Sequence, residues 1–102
     1  MKQGDIWLLE RPDHEARPAL IITRDVAIPL LRHITVVPLT RTARNIPSEV
    51  HLGPADGIRV SSVASFDNVM TVLKPYLTRR LGSLGDDRRH EVCSAIRAIT
   101  DC

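Results

Sequence analysis

Arg17-Pro18-Ala19-Leu20-Ile21-Ile22-Thr23 is the stretch whose reading decides the fold. From Ala19 to Ile22 it is unbroken apolar sequence, which reads as a strand covered on both faces. Pro18 is tolerable only at the start of such a strand, because proline has no N–H to give a sheet ladder. Just outside sits Arg17, a cation at the mouth of a buried strand. Upstream, residues 5–10 form a first strand, with Ile6 and Leu8 on one face and Trp7 and Leu9 on the other. The stretch between them, residues 10–16, is a polar loop broken by Pro12. Downstream, Pro29 interrupts residues 26–32, and residues 33–39 are β-branched and strand-like.

Further strands are expected at residues 48–52, 58–65 and 68–73. The last two would pair around Phe66-Asp67, and Gly53-Pro54-Ala55-Asp56-Gly57 forms a turn between the first two. Residues 75–81 fit one or two helical turns ended by Gly82. From Asp86 the pattern becomes helical. Val92, Ile96 and Ile99 share a face with Cys93 beside it, while Arg88, Glu91 and Arg97 face water. Asp86 and Asp87 suit the start of that helix, where carboxylates favour the dipole. Several short strands followed by one packed helix indicate an α+β, mainly β, fold: a small SH3-like antiparallel barrel with a short helix and a C-terminal helix. At 102 residues the chain forms a single domain, residues 1–102.

Aromatic residues make up only 3 %, so the core must be built from Val, Ile, Leu and Ala, and base-stacking platforms of the RNA-recognition-motif kind are excluded. The net charge of +2 argues for nothing by itself, but residues 17–44 carry a net +4, five arginines against Asp25. Of the 14 cationic residues only Lys2 and Lys74 are lysine. Arginine's planar fork suits bidentate contact with phosphate. Cys93 and Cys102 would lie roughly 13 Å apart on one helix, too far to bridge. No spacing of His or Cys resembles a zinc site, and no apolar stretch has membrane-spanning length. The expectation is a reduced, cytoplasmic protein without a metal site or membrane contact.

Four signals in order carry a resemblance: Gly4-Asp5-Ile6-Trp7, Arg17-Pro18-Ala19-Leu20-Ile21-Ile22, Val36-Val37-Pro38-Leu39-Thr40, and Ser61-Ser62-Val63 followed by Asp67. With Arg80-Leu81-Gly82-Ser83-Leu84 they resemble the MazF/PemK (Kid) toxins of bacterial toxin–antitoxin pairs, from Gly4 to about Leu84. The resemblance implies a CcdB/MazF-like barrel that dimerises and cuts single-stranded RNA (messenger, transfer or ribosomal) without metal or other cofactor. Cleavage would block translation and arrest growth, and a cognate MazE-like antitoxin would cover the active groove. It makes Arg17 and Thr40 the working pair. The chain departs from the family pattern in a short, glycine-free loop before Arg17, in Asn68-Val69-Met70 where many members carry a basic residue, and in Leu73-Lys74-Pro75.

The chemistry is consistent with that assignment. Attack by the neighbouring 2′-hydroxyl needs a phosphate positioned in line and its developing charge stabilised. Arg17 can hold two phosphate oxygens and stays protonated, and Thr40 can donate its hydroxyl to a non-bridging oxygen. Candidates for RNA contact are His14, Glu15, Arg41, Arg44, Ser62 and Asp67. The base could be His14, Glu15 or solvent. Structural roles stand beside these. Arg17 could pair with Asp13 or Glu15, Thr40 could bond its own turn, and Asp67 could fix a turn. Two further readings are a CcdB-like toxin that inhibits a protein such as DNA gyrase, and an inactive RNA-binding relative.

Overall fold

A computed structural model describes residues 1–102. It contains seven strands, β1 (Asp5–Leu9), β2 (Arg17–Ile21), β3 (His33–Thr40), β4 (Glu49–Leu52), β5 (Ser62–Ser65), β6 (Met70–Leu73) and β7 (Leu77–Ser83), then helix α1 (Arg89–Thr100). The strands form one curled antiparallel sheet in the order β4-β5-β3-β2-β1-β7, with β6 beside β3. This is the expected α+β, mainly β barrel. No helix is long and apolar enough to cross a membrane.

The apolar run of β2 is buried on both faces by simple alternation. Leu20 joins Ile6, Val37, Leu39 and Phe66 in one core, under α1. Ala19 and Ile21 turn the other way, toward Leu9, Ile34, Val36 and Val72. Each large apolar side chain contributes about 1.5–3 kcal/mol on full burial. The Gly-Asp-Ile-Trp start has a separate cause. Gly4 takes a left-handed φ of 89°, and the buried Asp5 accepts the Lys2 N–H at 2.9 Å and the Trp7 indole N–H at 3.2 Å. Arg80 completes the shell from β7, 3.4 Å from the carboxylate.

Several expectations are corrected. Residues 77–83 form strand β7, paired along β1, and only Lys74–Tyr76 makes a 3-10 turn where the sequence predicts one or two helical turns. Gly82 is no helix stop. A Cβ there would lie 1.9 Å from the Asp56 carbonyl oxygen, so glycine lets β7 touch the turn after β4 and bring the two ends of the sheet together. Residues 58–61 do not pair as strand. Gly57, at φ 97°, passes against Gly82, and Ile58 then plugs the core. β6 leaves β5 instead of forming a hairpin with it, because the turn Phe66–Asn68 sends Phe66 inward. β6 then pairs with His33–Val36, while β5 pairs with Leu39 and Thr40 further along the same strand. On α1 the buried face is Val92 and Ala95 with Ile99, leaving Ile96 exposed. Arg88 and Glu91 are tied into the molecule by the contacts described next.

Candidate phosphate-binding site

The β2–β3 register sets Ala19 opposite Pro38 and Leu20 opposite Val37. Continued by two residues, it sets Arg17 across from Thr40, the separation at which cross-strand side chains meet. Alternation then fixes their direction. Arg17 extends the face of Ala19 and Ile21, and Thr40 that of Val36, so both stand where one core face runs out into solvent. They share a depression of about 370 Å³ with Glu15, Arg41 and Ser62. A second depression, about 140 Å³, adjoins it and is lined by Arg17, Thr40, Arg44, Glu49, Ser65 and Asn68. Five of the eight expected residues thus meet in the first depression, and Arg44 joins in the second.

Arg17 is exposed and pairs with neither Asp13 nor Glu15; the ion pairs of the molecule involve Arg80 and Arg88. Its guanidinium is therefore free for a ligand. Thr40 Oγ1 accepts the Thr42 N–H at 3.3 Å, a bond that uses a lone pair and leaves the hydroxyl proton to donate. Ser62 is different. Its proton goes to the Val60 carbonyl at 2.9 Å, so it lines the depression without a donor to spare.

The loop carrying Arg41 and Arg44 is held by Glu49, whose carboxylate accepts the N–H groups of Arg44 at 3.0 Å and Asn45 at 2.8 Å. Burial pushes that carboxyl upward, but the backbone N–H groups of Arg44, Asn45 and Ile46 outweigh it and hold Glu49 below its ordinary value. Two expected residues stand apart. The His14 ring lies 2.9 Å from the Pro12 carbonyl and lines neither depression. Asp67 accepts the hydroxyl of buried Ser48 at 2.6 Å, the turn-fixing role. Sequence reasoning missed Thr42, Glu49 and Ser65, which carry no motif; only the strand register brings them to the site.

A third depression, about 510 Å³, shares Arg41 and Ser62 with the first and ends at Arg88. Arg88 donates to the His51 carbonyl, to both oxygens of Asp56 at 3.3 Å, and to Glu91 at 2.7 and 3.0 Å. The hydrogen bond to Glu91 raises the Arg88 pKa despite burial and, from the other side, lowers that of Glu91.

Residues 2–100 match the family described as "PemK-like, MazF-like toxin of type II toxin-antitoxin system". The chain is 39 % identical over 101 residues to "Probable endoribonuclease MazF5" of Mycobacterium tuberculosis, covering 98 % of this chain and 93 % of that protein. It is 38 % identical over 104 residues to "Probable endoribonuclease MazF2" of the same organism, covering both chains fully. Among solved structures, "Mycobacterium tuberculosis toxin MazF-mt6" superposes with a TM-score of 0.88 at 34 % identity, covering 95 % of this chain and 96 % of that one.

Proposed function

The chain belongs to the PemK-like, MazF-like toxins of type II toxin–antitoxin systems, and from that premise we propose that it cuts single-stranded RNA at a phosphate held between Arg17 and Thr40. It is an endoribonuclease toxin of that family. The observation that carries the site assignment is an Arg17 without an ion pair that shares both depressions with Thr40.

In this reading the guanidinium grips two non-bridging oxygens, and the Thr40 hydroxyl donates to one of them. The 2′-oxygen forms a bond to phosphorus as the bond to the 5′-oxygen breaks. Glu15, the one carboxylate lining the larger of the two depressions at Arg17, accepts the 2′-proton, and water protonates the departing 5′-oxygen. The products are a 2′,3′-cyclic phosphate and a 5′-hydroxyl. Arg17 supplies charge stabilisation and no proton transfer, because a guanidinium offers donors only. Arg41 and Arg44 hold flanking phosphates, and no metal ion or cofactor takes part.

Residues 1–102 act as one toxin domain in the cytoplasm, cleaving cellular RNA and arresting growth. The cognate antitoxin silences it by covering the Arg17 groove. A second copy of the chain packs against the apolar side chains left exposed at Val26, Leu30 and Leu31. Incubating the purified protein and its R17A variant with RNA in EDTA tests the reading. The expected result is fragments ending in cyclic phosphate from the wild type, and the same fragments formed about 10²–10³-fold more slowly by R17A. Cleavage by R17A at the wild-type rate overturns the site assignment, and growth arrest without RNA fragments points to a protein target.

A further inference from the structure

β7 places Arg79 and Arg80 on opposite faces of the sheet, and the two have different fates. Arg80 lies opposite Trp7 and pairs with Asp5. Arg79 lies opposite Leu8, is exposed, and has neither an ion pair nor a side-chain hydrogen bond. With Arg41 and Arg59 it rims a depression of about 240 Å³ whose apolar floor includes Leu8, Ile58 and Leu81. No carboxylate lines it. Three uncompensated guanidinium groups converge there on an apolar surface.

The depression is continuous with the phosphate site. Pro18, Arg41 and Ser62 line both. Arg41 is thus a fork from which bound RNA could leave in two directions. One branch ends at Arg88, whose charge is already met by Asp56 and Glu91. The other ends at Arg59 and Arg79, whose charge is not met. A polyanion gains from the second branch and not from the first.

We propose that the Arg59/Arg79 depression is a nucleotide subsite of the substrate. It takes a nucleotide flanking the scissile phosphate, with that nucleotide's phosphate held by the two arginines and its base laid on Leu8 and Ile58. This rests on the RNA-cleaving reading given above and extends it to the path of the strand. Arginine forks suit phosphate bidentately, and the apolar surface of Leu8, Ile58 and Leu81 accepts a base face without reading its edge. The subsite therefore supplies affinity and register more than sequence choice.

The test uses the full chain with a 2′-O-methyl RNA that cannot be cleaved, titrated between 50 and 200 mM salt (a range in which phosphate contacts dominate the response, on the order of tenfold or more). The R59Q/R79Q variant is expected to bind about tenfold more weakly at the lower salt, with a salt slope reduced by roughly 0.7 for each phosphate no longer neutralised. On cleavable RNA its KM rises while kcat holds. The variant R24Q/R97Q, which removes two exposed arginines elsewhere, sets the effect of net charge alone. Equal losses in the two variants, or an unchanged affinity for R59Q/R79Q, overturn the subsite; the second result leaves the patch to an acidic peptide. Cleavage by the wild type together with either of those results removes the subsite and keeps the proposed function. Binding without cleavage, still weakened specifically by R59Q/R79Q, removes the cleavage reading and keeps the subsite. A wild type that neither binds nor cleaves removes both.

Discussion

Arg17 and Arg88 stand at opposite ends of one run of depressions joined at Arg41 and Ser62, yet they are different kinds of arginine. Arg88 spends its donors on Asp56, Glu91 and the His51 carbonyl. Arg17 spends none within the protein. An arginine whose fork is already filled acts as a strut. It fastens α1 to the turn after β4 and has little left for a ligand. An arginine held in place by its strand, with its fork empty, costs the fold little and is available to a phosphate. Number and position of arginines in the sequence do not separate the two; their partners do.

The sharpest break of this contrast is Arg17→Ala. Removing the group proposed to meet developing phosphate charge should lower kcat by about 10²–10³-fold, or about 2.7–4 kcal/mol in the transition state. Because Arg17 has no internal partner, the melting temperature should not move. A variant that loses activity and stability together would make Arg17 a strut as well. The mirror experiment is Arg88→Ala. Asp56 is only 8 % exposed and would be left with its charge unmatched, at a cost of about 1–3 kcal/mol. That corresponds to roughly 4–8 °C in melting temperature per kcal/mol for a domain of this size. RNA cleavage measured at 25 °C should stay within about twofold. A collapse of activity at full stability would move Arg88 into the site.

Thr40→Val asks how much of the site lies beyond Arg17. Valine keeps the β-branched shape and removes the Thr40 hydroxyl, whose proton is free to donate. The expected drop is about tenfold in kcat, or about 1.4 kcal/mol, with KM unmoved. An unchanged kcat would reduce Thr40 to its bond with the Thr42 N–H.

How much of this is legible in the chain follows from how local each cause is. The β2 run needs only its own residues, since unbroken hydrophobicity over Ala19–Ile22 means burial on both faces wherever the partners come from. Strand β7 cannot be read that way. Only Leu77 among its seven residues is buried, and Pro75 and Gly82 imitate the ends of a helical turn. The true demand on Gly82 comes from the Asp56 carbonyl, distant in sequence. The helix face misleads for a related reason. Ala95 carries little hydropathic weight, but its small side chain is the one that fits fully against the barrel. For the site, Arg17 and Thr40 stand out because each ends an apolar strand, while Arg59, Arg79 and Asn68 gain meaning only from neighbours brought in by register. Asp67 matches a motif, and its carboxylate accepts the Ser48 hydroxyl, a contact no motif announces.

The smallest prediction separates the Arg88 strut into its parts. The hydrogen bond from Arg88 holds Glu91 below the ordinary carboxylate range in the folded chain, against the opposing pull of burial. A carboxyl with a depressed folded pKa contributes stability that is fully present above its unfolded value of about 4.3 and is lost as pH falls through the folded one. With side chains 29 % and 34 % exposed, Arg88 and Glu91 are screened by water, and their pair is worth about 0.5 kcal/mol. Urea melts of the wild type and Glu91→Gln should therefore differ by that amount at pH 7, and the gap should close as pH falls through the depressed folded value. Glu49, also depressed, is common to both proteins and cancels in the difference. If the gap persisted at low pH, the Glu91 contribution would be packing, and Asp56 alone would hold the Arg88 charge.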